Sequence, residues 1–298
     1  MRLQFQFLET VNGLDNSNSQ IITRIRQQLG EATTAPGMVM ISLSAVALGA
    51  AFGGYLPLIS LWMETFNISF QRIGIVCGAS AVGVVSSAYF APKLAARYGY
   101  ILTINVGLVV AAIMTVAFRF TDNYGLWLAL RFVSGLGLGL HWVLTEAWLA
   151  NIVTEKYRTR VMAIYATAIS IGFAVGPMVI WLFGALSIIP FIIMGALLIL
   201  AALPILRLKG HEPKDSQTRS ASPLILIKKA PTVASACIVV GSVDLALISL
   251  LPAMITRTPE AAPILALIIV PAMAIGATIL QYPIAIIADK HGLRKVGV

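Results

Sequence analysis

The chain consists of long apolar runs separated by short polar segments. Scanning it with a window of about 19 residues finds eight apolar runs, each long enough to cross a bilayer as a helix. Backbone groups in lipid have no water to pair with, so a spanning run must be helical or belong to a closed barrel, and these runs lack the alternation of barrel strands. The pattern predicts an all-α membrane protein with spans at Met38–Met63, Ile73–Ala91, Tyr100–Phe118, Tyr124–Ile152, Val161–Phe183, Ser187–Leu206, Thr232–Ile255 and Ala261–Ala288.

The composition excludes a soluble domain. Hydrophobic residues make up 58% of the 298 positions and charged residues 11%, with a mean hydropathy of +0.89, whereas soluble domains carry about 25% charge. Cys77 and Cys237 lie inside apolar runs, where small buried residues are expected. The segment GLGLG, Gly135–Gly139, lies in an apolar helix with no strand before it, so it is not a dinucleotide site. No metal cluster and no cofactor are predicted.

The basic residues orient the spans. Of the 21 lysines and arginines, 17 fall on one side, whereas Arg72, Arg119 and Arg257 fall on the other and Arg131 lies inside a span. Basic loops remain cytoplasmic, so both chain ends are predicted to be cytoplasmic. The net charge of +9 therefore reflects membrane topology, and no nucleic-acid partner is expected.

Polar segments divide the chain into four parts. Residues 1–36 form a polar cytoplasmic tail, and 37–206 hold six spans that we expect to form one bundle. Residues 207–231 form a basic cytoplasmic loop, and 232–298 hold two further spans. Six spans, a long loop and more spans indicate a chain of two similar halves.

An internal repeat supports this division. At an offset of 193 residues, YFAPKLAARYGYIL around Gly99 aligns with YPIAIIADKHGLRK around Gly292. The second copy resembles the loop signature of the major facilitator superfamily through Asp289, Lys290, Gly292 and Arg294. The first copy keeps Arg97 and Gly99 but has Ala96 where the family usually has aspartate.

Two further segments resemble motifs of that family. ALRFVSGLGLG resembles its arginine-x-x-x-glycine helix motif, carried by Arg131 and Gly135. GFAVGP resembles the motif associated with antiporters, carried by Gly172, Gly176 and Pro177, although the paired glycines that usually follow are absent.

The resemblance implies a fold and a function. The family has twelve spans in two six-helix halves, so the chain would hold a complete N-terminal half and the first two helices of the C-terminal half, truncated after the eighth span. We expect a multi-pass protein of the bacterial inner membrane that transports a small organic solute by alternating access. Proton coupling is expected, and the partial antiporter motif favours export.

Ionisable groups inside spans cost roughly 2.5–3.5 kcal/mol each on insertion scales and often mark functional sites. Asp244 lies near the middle of the seventh span and is the candidate proton carrier. Arg131 is the candidate cation for Asp244 or the substrate, with snorkelling to the outer surface as the alternative. His141 is either a titrating group or a hydrogen-bonded packing residue.

The cytoplasmic turns hold the candidate gating residues. Glu146 is about 22 Å along the helix from Arg131 and cannot touch it, so we expect it to pair with Arg158 or Arg160. The two signature turns complete the set, with Arg97, Gly99, Asp289, Lys290, Gly292 and Arg294.

Two other classes of function are open at this stage. A truncated, non-transporting membrane module would act only through helix contacts. An intramembrane enzyme would need paired catalytic groups at matched depth, and the sequence offers none. The oligomeric state is not readable from the sequence.

The topology makes a direct prediction. Reporter fusions after Asp122 and Glu260 should report an outside location, and fusions after Arg158 and Ser216 an inside one, because basic loops stay cytoplasmic. The reversed pattern would contradict the assignment.

Overall fold

The computed structural model describes residues 37–153, 155–213 and 230–257, together with 265, 268–276 and 279. Within this part, seven helices are long and apolar enough to cross a membrane, which confirms the first seven predicted spans. A 3₁₀ turn, Phe118–Phe120, extends the third helix. The helices are α1 (Met38–Glu64), α2 (Phe70–Tyr98), α3 (Tyr100–Ala117), α4 (Tyr124–Ile152), α5 (Glu155–Phe183), α6 (Ile189–Leu206) and α7 (Pro231–Thr256).

Several predictions fall outside the described residues. The eighth predicted span, Ala261–Ala288, is described only in part, where 268–276 are helical. The tail 1–36, loop residues 214–229 and the second signature copy lie wholly outside. Below, the end of the bundle where α1 and α7 finish is called the outer end, following the predicted topology.

Helix α1 runs through the centre of the bundle. It packs against α5 and α6 and also contacts α7, while α4 packs against α2 and α3, and α3 against α6. The most apolar window of α1 is 61% buried, against 17% for α7. Helix α7 is thus attached to one side of a six-helix body.

Small residues bring α1 and α5 into backbone contact. A Cβ added at Gly172 would collide with the carbonyl oxygen of Val46, and one added at Gly53 would lie 2.6 Å from the Cα of Phe173. Lipid tails are as apolar as leucine, so helices in a bilayer associate through such close packing. Gly172 and Gly176, the glycines of GFAVGP, both face α1 at this crossing, and Pro177 follows them inside α5.

The buried apolar residues form two clusters, one toward each end of the bundle. The outer cluster includes Ile59 and Trp127, and the cytoplasmic cluster includes Leu48 and Ile104. Along α4, Leu130 belongs to the outer cluster and Leu138 to the cytoplasmic one. The residues between them on α4 therefore lie at the boundary, where the candidate site is found.

Replacing Gly172 by alanine should lower the melting temperature of the detergent-purified protein. The added methyl group has no space against Val46, and overpacking of this kind typically costs about 1–3 kcal/mol. The matched control is Gly78→Ala, because a Cβ at this helical position meets nothing within 4 Å and alanine favours the helix. Equal melting temperatures for the two variants would contradict the packing.

Candidate functional site

A fully buried arginine lies at the boundary between the two apolar clusters. Arg131 is 0% exposed, and its Nη2 donates a hydrogen bond of 2.8 Å to the Ser80 hydroxyl. Its guanidinium carbon lies 4.9 Å from the centre of the Tyr55 ring, within range of a cation–π contact. Gly135, one turn further on, allows this geometry, since a Cβ there would collide with the Ser80 carbonyl oxygen.

Residues from four helices share this depth. Arg131 lies seven residues into α4 and Cys77 seven residues into α2, about 10 Å from their outer ends. Ser249 lies beside Cys77 and seven residues before the end of α7, at the same depth. We call the following buried residues the arginine layer: Tyr55, Cys77, Ser80, Arg131, Ser134 and Ser249.

Several polar atoms of the arginine layer lack a hydrogen-bond partner among the described residues. They are Nε and Nη1 of Arg131 and the Ser134 hydroxyl oxygen; the Tyr55 hydroxyl, close to Thr115 and Arg131, and the Ser249 hydroxyl, close to Cys77, also lack a hydrogen bond of good geometry. Buried polar groups in proteins are usually paired, and each unpaired one costs about 1–3 kcal/mol. An accumulation of unpaired donors at one depth is therefore typical of a place where a ligand or water binds.

Asp244 is not part of this layer. It is exposed on α7, five residues before Ser249, which places it about 7.5 Å deeper along the helix and about 140° around it. The structure therefore does not bring Asp244 and Arg131 together.

His141 lies in a separate polar contact. The Ser44 hydroxyl donates to the Ala201 carbonyl oxygen at 2.7 Å, and its oxygen lies 2.8 Å from Nε2 of His141. A hydroxyl has one hydrogen, so Nε2 of the histidine must be the donor in the second bond. Among the described residues Nδ1 has no partner, which suits a neutral ring. The contact joins α1, α4 and α6 through buried side chains.

The predicted pairing of Glu146 with a basic loop residue is not seen among the described side chains. Trp142, one turn earlier on α4, donates its indole N–H to Glu146 at 2.6 Å. Arg158 is exposed, and the side chain of Arg160 lies outside the described residues.

The first signature turn contains a contact that the sequence did not predict. Gly99 has φ +84°, a conformation that glycine adopts without strain, and it separates α2 from α3. Glu212, just after α6, accepts a hydrogen bond of 3.0 Å from the backbone N–H of Tyr100. A carboxylate thus reaches the positive end of α3 although Ala96 replaces the family's aspartate, and Arg97 is exposed beside Tyr98.

A second unpredicted contact joins α1 and α7 at their outer ends. Arg257 forms a two-pronged ion pair with Glu64, with Nη2 at 2.7 Å from Oε2, and donates a further bond of 2.9 Å to the Ile68 carbonyl oxygen. Its guanidinium also lies 4.1 Å from the centre of the Phe70 ring. The hydrogen bond to Glu64 raises the pKa of Arg257 above its usual value.

The internal repeat of the sequence relates the two residues of this ion pair. Glu64 and Arg257 are 193 residues apart, the same offset that aligns Gly99 with Gly292. Residues at equivalent positions of two repeats can meet near the axis that relates them. A single acid and a single base at equivalent helix ends are therefore candidates for an ion pair.

Comparison with known proteins identifies relatives of this chain. Residues 41–298 match the profile of the Major Facilitator Superfamily. The uncharacterised MFS-type transporter YfkF of Bacillus subtilis is 26% identical over 265 residues, which are 87% of this chain and 66% of that protein. An uncharacterised MFS-type transporter of Yersinia pestis is 24% identical over 220 residues, which are 72% of this chain and 55% of that protein. The chain thus spans about two thirds or less of the length of these relatives.

Solved structures share the fold. The proton:xylose symporter XylE bound to 6-bromo-6-deoxy-D-glucose superposes with a TM-score of 0.60 and 17% identity, over 85% of this chain and 70% of that one. A D-xylose-proton symporter gives a TM-score of 0.57 and 17% identity, over 85% of this chain and 69% of that one.

Proposed function

Because this chain belongs to the major facilitator superfamily, we propose that its helices form part of the translocation path of a secondary transporter for a small organic solute. The protein is a multi-pass membrane protein with bacterial relatives. We place it in the bacterial inner membrane, with both chain ends in the cytoplasm.

The observation that carries the proposal is the composition of the arginine layer. Tyr55, Ser80 and Arg131 come from the six-helix body, and Ser249 comes from α7, the first helix of the predicted second half. Secondary transporters bind their solute near the middle of the bilayer, between two halves that rock against each other. A layer of unpaired polar groups between these parts suits such a site.

The contacts of α7 support alternating access. Near its outer end α7 buries Ser249, Pro252 and Ala253 and holds α1 through Arg257. In this proposal the outer ion pair closes the path to the outside. Opening toward the outside then requires that Arg257 leaves Glu64.

The cytoplasmic contacts would act in the opposite state. We assign gating there to Arg97 and Gly99 with Glu212, to Glu146 with Arg158 and Arg160, and to the second signature copy. The direction of transport is proposed to be export, on the resemblance of GFAVGP to the antiporter motif, and that segment also packs α5 against α1.

Asp244 is proposed as the proton carrier. A carboxylate in a spanning helix is costly when charged and is favoured only where protonation or a cation is available. Asp244 lies about 7.5 Å deeper along the helix axis than the level of Arg131. In the proposed cycle this is the state in which the two residues are apart. Rocking of α7 would bring them together after the proton leaves. Proton coupling is also the property named for the xylose symporters of the same fold.

The test uses protein produced from its chromosomal gene, purified and reconstituted in vesicles. Solutes that raise its melting temperature are assayed for movement driven by a pH gradient. Asp244→Asn should abolish gradient-driven accumulation and leave exchange of labelled solute intact, because exchange needs no net proton movement. The matched control, Asp122→Asn on the loop before α4, should accumulate solute normally. If Asp244→Asn accumulates solute at the parental rate, Asp244 is not the proton carrier. If the parent protein transports none of the solutes, the transporter proposal is contradicted.

A further inference from the structure

We propose that the arginine layer binds the negatively charged group of a small organic anion, which is thus the substrate class of the transporter. The inference rests on the proposed function, because it assigns the layer to the solute. Its basis is the balance of donors, acceptors and charges around Arg131.

The layer has a surplus of hydrogen-bond donors. Arg131 has five N–H groups, of which the structure pairs Nη2 with Ser80 and leaves Nε and Nη1 unpaired among the described residues. The Ser134 hydroxyl is also unpaired there and can donate, whereas the Tyr55 hydroxyl lies close to Thr115 and Arg131 and the Ser249 hydroxyl lies close to Cys77. An incoming acceptor group would satisfy several of these donors at once.

The layer also has an uncompensated positive charge. Glu64, Glu146 and Asp244 are the acidic residues of the spanning helices whose side chains the structure describes, and none of them contacts Arg131; Glu155 begins α5 at the cytoplasmic end. Glu64 is paired with Arg257, Glu146 lies about 22 Å further along α4, and Asp244 is exposed on α7. The Tyr55 ring offsets only part of the charge, since a cation–π contact contributes about 0.5–2 kcal/mol.

These two features distinguish between classes of solute. A neutral solute would accept hydrogen bonds but leave the buried charge unbalanced, and a cation would add to it. A carboxylate or another small anionic group accepts hydrogen bonds and also balances the charge of Arg131. Its hydrogen bonds with the guanidinium would be roughly twice as strong as those between neutral groups. Burying an unpaired guanidinium is strongly unfavourable. An anion bound in the arginine layer would lower this free-energy cost more than a neutral solute or a cation.

A native cysteine provides the measurement. Cys77 is 1% exposed, belongs to the arginine layer, and is one of only two cysteines in the chain. Replacing Cys237, which is exposed on α7, by serine leaves Cys77 as the single thiol. Any reagent that labels Cys77 must enter the layer and experience the charge of Arg131.

The experiment compares three methanethiosulfonate reagents of similar size on the Cys237→Ser protein in membranes. The sulfonatoethyl reagent is anionic, the hydroxyethyl reagent neutral and the trimethylammonioethyl reagent cationic. Each rate is divided by the reagent's rate with a free small thiol, which removes differences in intrinsic reactivity; the thiolate fraction of Cys77 is the same for all three reagents and cancels from their ratios. We expect the anionic reagent to react at least about tenfold faster than the cationic one.

Arg131→Gln should bring the two rates to within about twofold of each other, since it removes the charge and keeps a polar side chain of similar length. Arg131→Lys should retain the preference. Arg72→Gln is the matched control for charge at the outer entrance, because Arg72 lies on the Tyr124 ring outside the layer. It should leave the ratio unchanged.

Each outcome bears on the proposal. Equal rates for the anionic and cationic reagents with the parent would overturn the anion assignment even if Arg131→Gln does not fold, while the transporter proposal would stand. Failure of every reagent to label Cys77 in a protein that transports solute would also overturn it, because the layer would then lie off the path. A preference that Arg72→Gln abolishes would place the selection at the entrance and equally contradict the proposal.

Discussion

The buried guanidinium of Arg131 is the interaction on which the rest of the structure depends. It lies between four helices, about 10 Å from the outer end of α4, with one hydrogen bond to Ser80 and the face of Tyr55 beside it. Such a group can be held only where helix backbones approach closely enough to surround it. Gly135 provides that approach on α4, and Gly172 provides the equivalent approach between α1 and α5. Small residues and a single charge thus define both the packing and the site.

The second constraint is the contact between α1 and α7 at their outer ends. The pair of Arg257 and Glu64 is exposed, so water screens it and it can break during a conformational change. The bond to the Ile68 carbonyl oxygen and the contact with Phe70 add to it. A contact that can form and break suits a gate, since a transporter must alternate between its outward-open and inward-open states.

Much of this architecture follows from the sequence. Runs of apolar residues predicted the seven described spans, and the rarity of charge within them singled out Arg131. Contacts between distant segments were not predictable in the same way, because hydropathy reports depth in the bilayer but not rotation about a helix axis. This is why the sequence did not predict the separation of Asp244 from Arg131 or the hydrogen bond between Trp142 and Glu146. The repeat offset also relates Glu64 to Arg257, which both lie outside the two aligned signature segments.

The most direct test of the account asks whether the outer ion pair controls access to the arginine layer. In the Cys237→Ser protein, the membrane-impermeant anionic reagent is added to right-side-out or inside-out vesicles, and the labelling rate of Cys77 is compared between the parent and Glu64→Gln. Loss of the ion pair should raise labelling of Cys77 from the outside and lower labelling from the inside, because the closed state loses a contact that the open state lacks. Unchanged rates from both sides would contradict the claim that the layer is a solute site closed to the outside by Arg257 and Glu64.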